Sequence, residues 1–119
     1  NVLETDRDAL KYGRTALAFQ PVIQAGAPNV VFYEGFIRII DPAGRHIPAR
    51  DFITQVENNE LGRLIDCATL QLGLATLAEQ PDVRLSVNMS AQSIGYPKWV
   101  RTLEEGLQRS PNLATNLIL

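Results

Sequence analysis

Four polar side chains lie within apolar stretches of this sequence, where such residues are uncommon. Gln20 lies in "TALAFQPVI", Glu34 and Arg38 lie in "VVFYEGFIRII", and Asn88 lies in "VRLSVNMSA". A carboxylate and an amide carbonyl are hard oxygen donors, which suit Mg²⁺, Mn²⁺ or Ca²⁺. The Arg38 guanidinium is a rigid fork that matches phosphate oxygens. A metal ion beside such an arginine would suit phosphoryl chemistry, in which the ion activates water and stabilises developing charge.

A purely structural explanation competes with this chemistry. Glu34 and Arg38 could form a buried ion pair, because charged residues are seldom fully buried without a partner. Asn88 could then simply satisfy a turn. Structural ion pairs often occupy such positions, so spacing alone favours the ion-pair interpretation.

The strand period of two decides whether these side chains can meet. In each predicted strand, alternate residues divide into an apolar face and a face that carries polar groups. The polar faces hold Ala18 and Gln20 in the first strand, Phe32, Glu34, Phe36 and Arg38 in the second, and Ser86, Asn88 and Ser90 in the third. Three neighbouring strands could therefore bring the four polar residues to a shared interior.

The order of the predicted elements favours an α/β fold. Strands are predicted over residues 15–23, 30–40 and 83–91 and from within 113–119, a short helix within 47–59, and longer helices over 60–79 and 97–109. Because strands alternate with helices after residue 30, we expect βα units and a largely parallel sheet. The short turn between the first two strands predicts an antiparallel start, since a parallel crossover needs a dozen or more residues.

Both long helices should bury one face. In the first, the residues at helical spacing are Leu61, Leu64, Ile65, Ala68, Leu72 and Ala75; in the second they are Tyr96, Val100, Leu103 and Leu107. Apolar residues at this spacing predict amphipathic helices that cover the sheet.

The length indicates part of a larger fold. An α/β barrel typically needs about 250 residues, whereas this chain has 119 and closes on an apolar strand. We therefore predict a partial TIM-like (β/α) barrel, truncated at about half its length. Residues 1–13 are interpreted as a linker or N-terminal helix, and residues 14–119 as the N-terminal half of the barrel.

Composition excludes several classes of protein. The net charge is −2, without the basic excess expected of a protein that binds DNA or RNA nonspecifically. No apolar run reaches the 18 or so residues of a membrane segment, and the first residues lack a signal-peptide core. The one cysteine, Cys67, cannot form an internal disulfide, which fits a reducing compartment. We expect a cytoplasmic domain, although its parent protein could be tethered to a membrane.

The quoted stretches also match a known family. "FQPVI", "EGFIRI", "IPARDFITQVENNELGRLID" and "SVNMSA" resemble, in order and spacing, the motifs of the EAL domain, from about Leu10 to the end of the chain. Members of that family are bacterial phosphodiesterases that hydrolyse cyclic di-GMP to the linear dinucleotide, and their fold resembles a TIM barrel with an antiparallel first strand. The resemblance therefore implies a cyclic di-GMP phosphodiesterase domain that uses Mg²⁺ or Mn²⁺.

The resemblance also assigns roles to individual residues. It implies that Glu34 and Asn88 are metal ligands, that Arg38 contacts a substrate phosphate, and that Gln20 lies in or near the substrate site. The family's other metal carboxylates, general-base region and lysine would fall beyond Leu119, so no catalytic residue is assigned and the chain alone is expected to be inactive. With these assignments the preference shifts from the ion pair to the functional site.

The chain departs from the family signature at one point. Glu-Gly-Phe stands where the family has Glu-Ala-Leu, so Gly35 and Phe36 differ. The alternative is therefore a degenerate EAL domain that binds cyclic di-GMP, or a protein partner, without hydrolysis. An attached GGDEF or sensory domain and a homodimer are further expected partners. Glu57 and Asp66 lie in the matching stretch, and we assign them no chemistry.

Overall fold

The computed structural model describes residues 2–26 and 29–119 as an α/β arrangement in which helices cover one face of a sheet. The helices are α1 (Val2–Lys11), α2 (Ile53–Val56), α3 (Glu60–Glu79) and α4 (Pro97–Arg109), and the strands are β1 (Thr15–Ile23), β2 (Val30–Ile40), β3 (His46–Pro48), β4 (Leu85–Val87) and β5 (Leu117–Ile118). Three short 3₁₀ turns, at Ala49–Asp51, Ala91–Ser93 and Pro111–Thr115, connect them.

The sheet has the order β1-β2-β4-β5, with β3 paired to β2 outside this path. β1 and β2 are antiparallel, whereas β2 with β4 and β4 with β5 are parallel. These pairings confirm the predicted antiparallel start and parallel continuation of a partial TIM-like barrel. The three-residue β3 was not predicted, and it begins with the exposed His46.

Gly35 shows which face of the sheet meets the helices. A Cβ atom built on Gly35 would lie 3.4 Å from Leu17 Cδ1, 3.4 Å from Leu85 Cδ1 and 3.6 Å from Val87 Cγ1. Leu85 and Val87 belong to the core that packs against α3 and α4, together with Leu70, Leu74, Leu77 and Trp99. Since side chains alternate along a strand, Glu34 and its neighbours at even positions lie on the opposite face.

α3 is the central helix of the covering layer, and its predicted apolar stripe was too narrow. Gly62, Arg63, Asp66, Cys67, Thr69, Leu70, Gly73, Leu74 and Leu77 are buried besides the predicted Leu61 and Ile65, whereas Ala75 is exposed. The reason is that α3 contacts the sheet along one side and both α1 and α4 along its flanks. A helix with three neighbours buries more of its circumference than a surface helix with one.

The ends of the long helices follow local chemistry. α3 begins after Asn59, whose side chain accepts a hydrogen bond from the Gly62 N–H, and this satisfies one of the free donors of the first turn. α4 begins with Pro97 in its first turn, where no N–H partner is needed. None of the helices in the described part of the chain is both long and apolar enough to cross a bilayer.

β4 is shorter than predicted. The sequence predicted a strand over residues 83–91, but the strand contains only Leu85–Val87. The chain turns away after Val87 because the Ser90 side chain accepts a hydrogen bond from the Gln92 N–H and begins the 3₁₀ turn Ala91–Ser93. Asn88 therefore lies just beyond the end of the strand, and Ser90 does not continue its polar face.

Candidate functional site

Gln20 and Glu34 are brought together by the register of the first two strands. They are direct partners across the β1–β2 pair, and side chains of directly opposed residues lie on the same face. On the other side of β2, Glu34 is paired with Ser86 of β4. Gln20 is exposed and Glu34 is half-buried. The Glu34 side chain therefore lies between those of Gln20 and Ser86, on the face of the sheet opposite the helices.

Arg38 lies further along the same face of β2. Its partners across the sheet are Ala16 of β1 and Pro48 of β3, and it is half-buried. Phe36 lies between Glu34 and Arg38 on this face. At roughly 3.3 Å per residue, the Cα atoms of Glu34 and Arg38 are about 13 Å apart. The predicted facing of β2 is confirmed by the placement of Gly35 against the apolar side chains.

The ion-pair explanation is wrong for the described residues. Neither Glu34 nor Arg38 forms an ion pair or side-chain hydrogen bond with residues 2–26 or 29–119. Asn88 likewise makes no side-chain hydrogen bond within those ranges, so it does not satisfy a turn.

Asn88 lies one strand away from Glu34, at the carboxyl end of β4. The parallel register pairs Glu34 with Ser86 and Gly35 with Val87, so Asn88 follows at about the level of Phe36. It is exposed and lines a cleft of about 260 Å³. The other lining residues are Met89 and Ser90, Ile53 and Glu57 at α2, and Gly62, Arg63 and Asp66 of α3. The lining of this cleft does not include Gln20, Glu34 or Arg38.

A buried polar network beside this cleft was not found by sequence reasoning. Arg63 donates from Nε to Ser93 Oγ (2.8 Å), from one terminal nitrogen to Gln92 Oε1 (2.6 Å) and from the other to the Glu57 carbonyl (2.9 Å). Asp66 Oδ2 accepts from Ser93 Oγ (2.5 Å) and from the Ser90 N–H (3.0 Å). Both charged side chains are only 8% exposed.

A weak signal for this network existed in the sequence. Arg63 and Asp66 are three residues apart on α3, a spacing at which opposite charges meet on one helix face. Their partners in the loop after β4 are distant in sequence, so the signal could not show what the pair binds.

The donor set suits a hard divalent cation but is incomplete. Glu34 and Asn88 supply a carboxylate and an amide oxygen, the ligand types that Mg²⁺ and Mn²⁺ prefer. Within residues 2–26 and 29–119 there is no group of three or more His, Cys, Asp or Glu side chains that could hold an ion. Two protein ligands fit such an ion only if further oxygens come from water, substrate or additional protein residues.

Comparison with solved structures shows the same fold. The chain is similar to the EAL domain of FimX from Pseudomonas aeruginosa bound to c-di-GMP, with 27% identity and a TM-score of 0.76 over 92% of this chain and 45% of that one. It is similar to the S helix–GGDEF–EAL portion of apo LapD from Vibrio cholerae, with 17% identity and a TM-score of 0.78 over 98% of this chain and 28% of that one.

A third structure of the same fold is described as a phosphodiesterase. This is the c-di-GMP complex of PaMucR, with 24% identity and a TM-score of 0.68 over 98% of this chain and 49% of that one. The chain thus spans at most about half the length of these structures. No curated protein matches it significantly.

The family assignment rests on the sequence over nearly its whole length. The family model described as the EAL domain matches residues 4–119. This range contains Gln20, Glu34, Arg38 and Asn88 and all five strands of the sheet. The chain belongs to the EAL domain family.

Proposed function

We propose that the chain forms part of a cyclic di-GMP phosphodiesterase domain, which hydrolyses a phosphodiester bond of the cyclic dinucleotide in bacterial second-messenger signalling in the cytoplasm. The observation that carries this proposal is the set of Glu34, Arg38 and Asn88. Glu34 and Arg38 lie on β2, with Glu34 level with Ser86 of β4, and Asn88 lies one residue beyond the carboxyl end of β4. The polar side-chain atoms of these three residues have no partner among the described residues. In barrels of this type the active site lies at the carboxyl ends of the strands.

Each residue has a role that its chemistry supports. Glu34 and Asn88 would hold Mg²⁺ or Mn²⁺ together with ligands outside this chain. When bound, the ion would activate water and stabilise charge on the phosphate. Arg38 would bind phosphate oxygens with its two-pronged guanidinium and so orient the scissile bond. Gln20, opposite Glu34, would donate or accept a hydrogen bond at the substrate.

The PaMucR and FimX complexes support this choice of substrate, since both are described with c-di-GMP bound. The LapD structure, with its S helix and GGDEF domain, supports the expectation that a GGDEF or sensory domain is attached. Such a protein would bind the dinucleotide at the EAL domain and be regulated through the attached domain.

Phe36 favours a second candidate function. Its ring lies on the same face as Glu34 and Arg38 and between them, where the family signature has a leucine. A larger side chain there would fill space between the metal end and the phosphate-binding end of the site. The second candidate is accordingly an EAL domain that binds cyclic di-GMP, or a protein partner, and signals without hydrolysis.

One experiment separates these functions. A complete EAL domain that contains residues 1–119 is incubated with cyclic di-GMP and Mg²⁺ or Mn²⁺, and the linear dinucleotide is measured by chromatography while binding is measured by calorimetry. Metal-dependent formation of the linear product supports the phosphodiesterase. Binding without product supports the receptor. The absence of both binding and product contradicts both functions.

A further inference from the structure

The buried network around Arg63 and Asp66 connects α3 to the loop that carries Asn88. Asp66 holds two groups of that loop, the Ser90 N–H at 3.0 Å and the Ser93 hydroxyl at 2.5 Å. Arg63 holds the same Ser93 hydroxyl from its other side, at 2.8 Å. Ser93 is fully buried, so its hydroxyl bridges the carboxylate and the guanidinium without access to solvent.

The network also fixes the segment before α3. One terminal nitrogen of Arg63 donates to the Glu57 carbonyl at 2.9 Å, and the other donates to Gln92 Oε1 at 2.6 Å. Gln92 in turn donates to Asn58 Oδ1 at 3.1 Å. The loop after β4 and the loop before α3 are therefore joined through one guanidinium.

Asn88 has no such attachment of its own. Its side chain forms no hydrogen bond within the described residues, and β4 ends one residue before it, at Val87. The first fixed point after the strand is the Ser90 N–H, two residues further on, which Asp66 holds. The backbone at Asn88 is thus held between the end of β4 on one side and the Ser90 N–H, bound by Asp66, on the other.

We propose that Arg63 and Asp66 are positioning residues, which orient Asn88 for divalent-ion binding by holding the loop 88–93 against α3. This inference rests on the proposed function, in which Asn88 is a ligand. Removal of a partner that orients a metal ligand typically weakens metal affinity by about 10–100-fold. A buried ion pair is weak evidence for stability, because an apolar pair of similar volume is often at least as stable. Placement of the loop gives this charged pair a role that apolar side chains could not fill.

The number of hydrogen bonds explains why the pair is Arg with Asp. The planar guanidinium reaches three acceptors in two different segments, Gln92 and Ser93 after β4 and Glu57 before α3, which a lysine ammonium cannot do with the same geometry. Asp66→Asn keeps the shape but removes the charge that faces Arg63. Arg63→Lys keeps the charge but removes the fork, so it tests whether geometry or charge alone is required.

The test measures Mn²⁺ binding and loop protection in a complete EAL domain that contains this chain. Calorimetry gives the Mn²⁺ dissociation constant, and hydrogen exchange without metal gives the protection of the Ser90 and Ser93 amides. We expect Asp66→Asn and Arg63→Lys each to raise the dissociation constant at least about tenfold and to accelerate exchange at Ser90. Leu77→Val, at the far end of α3, is the control for general destabilisation: it should lower the melting temperature without changing either measurement.

The outcomes separate this inference from the proposed function. If the unmodified protein binds Mn²⁺ and Asp66→Asn leaves the dissociation constant unchanged, the positioning role is wrong while the metal site stands. If Arg63→Lys binds Mn²⁺ as tightly as the unmodified protein, the positioning role is also contradicted, because the positive charge alone would then suffice. Failure of the unmodified domain to bind Mn²⁺ would overturn the proposed metal site and this inference together. Faster hydrogen exchange at Ser90 with an unchanged Mn²⁺ dissociation constant would show that the two residues hold the loop without affecting metal binding. That result would contradict the positioning role.

Discussion

Individual residues on β2 carry most of the candidate site, and the period of the strand predicted their directions correctly. Glu34, Phe36 and Arg38 lie on the face opposite the helices, and Gly35 lies against Leu17 and Leu85. These directions were predictable because alternation is a local property of an extended chain. The network of Asp66 was not, because its hydrogen bonds join segments far apart in sequence and form only after the chain leaves β4.

Glu34→Gln should abolish metal-dependent turnover in a complete EAL domain while the fold is retained. The substitution removes the negative charge that a divalent cation requires but keeps nearly the same shape. The measurements are turnover of cyclic di-GMP across a Mg²⁺ titration and circular dichroism. Glu104→Gln, an exposed position on α4, is the matched control and should leave both unchanged. Normal turnover by Glu34→Gln at limiting Mg²⁺ would show that Glu34 is not a ligand.

The two departures from the Glu-Ala-Leu signature should have separable effects. An alanine Cβ at Gly35 would meet three apolar side chains at 3.4–3.6 Å, which is ordinary contact. Gly35→Ala should therefore stabilise the domain by about 0.5–1 kcal/mol without changing kinetics. Phe36→Leu should instead change kcat or KM, because Phe36 shares the face of Glu34. Steady-state kinetics and melting curves of both variants test this, and the opposite pattern would mean that the facing of β2 has been misassigned.

At the scale of elements, the helix and strand types were predictable and their surroundings were not. β1, β2, α3 and α4 have the predicted bounds, because propensity, turn residues and periodicity agree over those stretches. The buried circumference of α3 depends on three neighbouring elements, which no local pattern contains. The early end of β4 depends on the 3₁₀ turn that Ser90 begins.

The junction of α2 and α3 requires glycine at position 62. A Cβ atom there would overlap the Val56 carbonyl oxygen, a backbone atom that cannot rotate away. Forcing such a contact costs about 1–3 kcal/mol, which outweighs the roughly 1 kcal/mol that alanine gains over glycine in a helix. We expect Gly62→Ala to lower the melting temperature, whereas the control Gly95→Ala, which adds its Cβ to open space, should not. An unchanged melting temperature for Gly62→Ala would show that α2 and α3 can separate freely.

α1 should make stability depend on pH through Asp6. Burial raises the pKa of this carboxyl from 3.8 to about 6, and its Oδ2 atom is buried without a hydrogen-bond partner among residues 2–26 and 29–119. Ionisation is easier in the unfolded chain, so the free energy of unfolding should fall as pH rises from about 4 through about 6, by on the order of 2 kcal/mol.

Asp6→Asn should remove that loss and make the domain more stable than the unmodified protein at pH 7. Chemical denaturation at pH 4, 5, 6 and 7 measures the difference between the two proteins. Asp8→Asn, an exposed position on the same helix, is the control and should follow the unmodified protein. A constant difference between Asp6→Asn and the unmodified protein across this range would contradict the assignment.

At the scale of the whole molecule, the main path of the described sheet ends in two strands, β1 and β5, that each pair with one other strand. β1 and β5 are the ends of the order β1-β2-β4-β5, and exposed apolar side chains lie beside them, with Phe19 48%, Ile23 56% and Leu119 53% exposed. Open strand edges with apolar side chains favour pairing with other chains. The barrel class was predictable from the order of the elements. The exposed fractions of the side chains on these outer strands were not, because they depend on the packing of the whole sheet.

The purified 119-residue chain should therefore self-associate and should not hydrolyse cyclic di-GMP. Light scattering after size-exclusion chromatography measures the first property, and chromatography of the reaction products measures the second. Phe19→Lys places a charge on the β1 edge and should reduce self-association. A monodisperse monomer with metal-dependent turnover would refute this prediction.

The antiparallel pairing of β1 with β2 has a consequence for the order in which the molecule folds. A hairpin of neighbouring strands can form within about 1–10 μs, whereas the β2–β4 pair must wait until α3 has crossed over the sheet. Contacts between distant segments form more slowly because closing a longer loop costs more entropy. During synthesis at about 5–20 residues per second, Gln20 and Glu34 can meet before Asn88 has been added to the chain. The two proposed metal ligands, Glu34 and Asn88, would thus be placed at different times. The nascent hairpin would expose the Glu34 carboxylate before Asn88 has been synthesised.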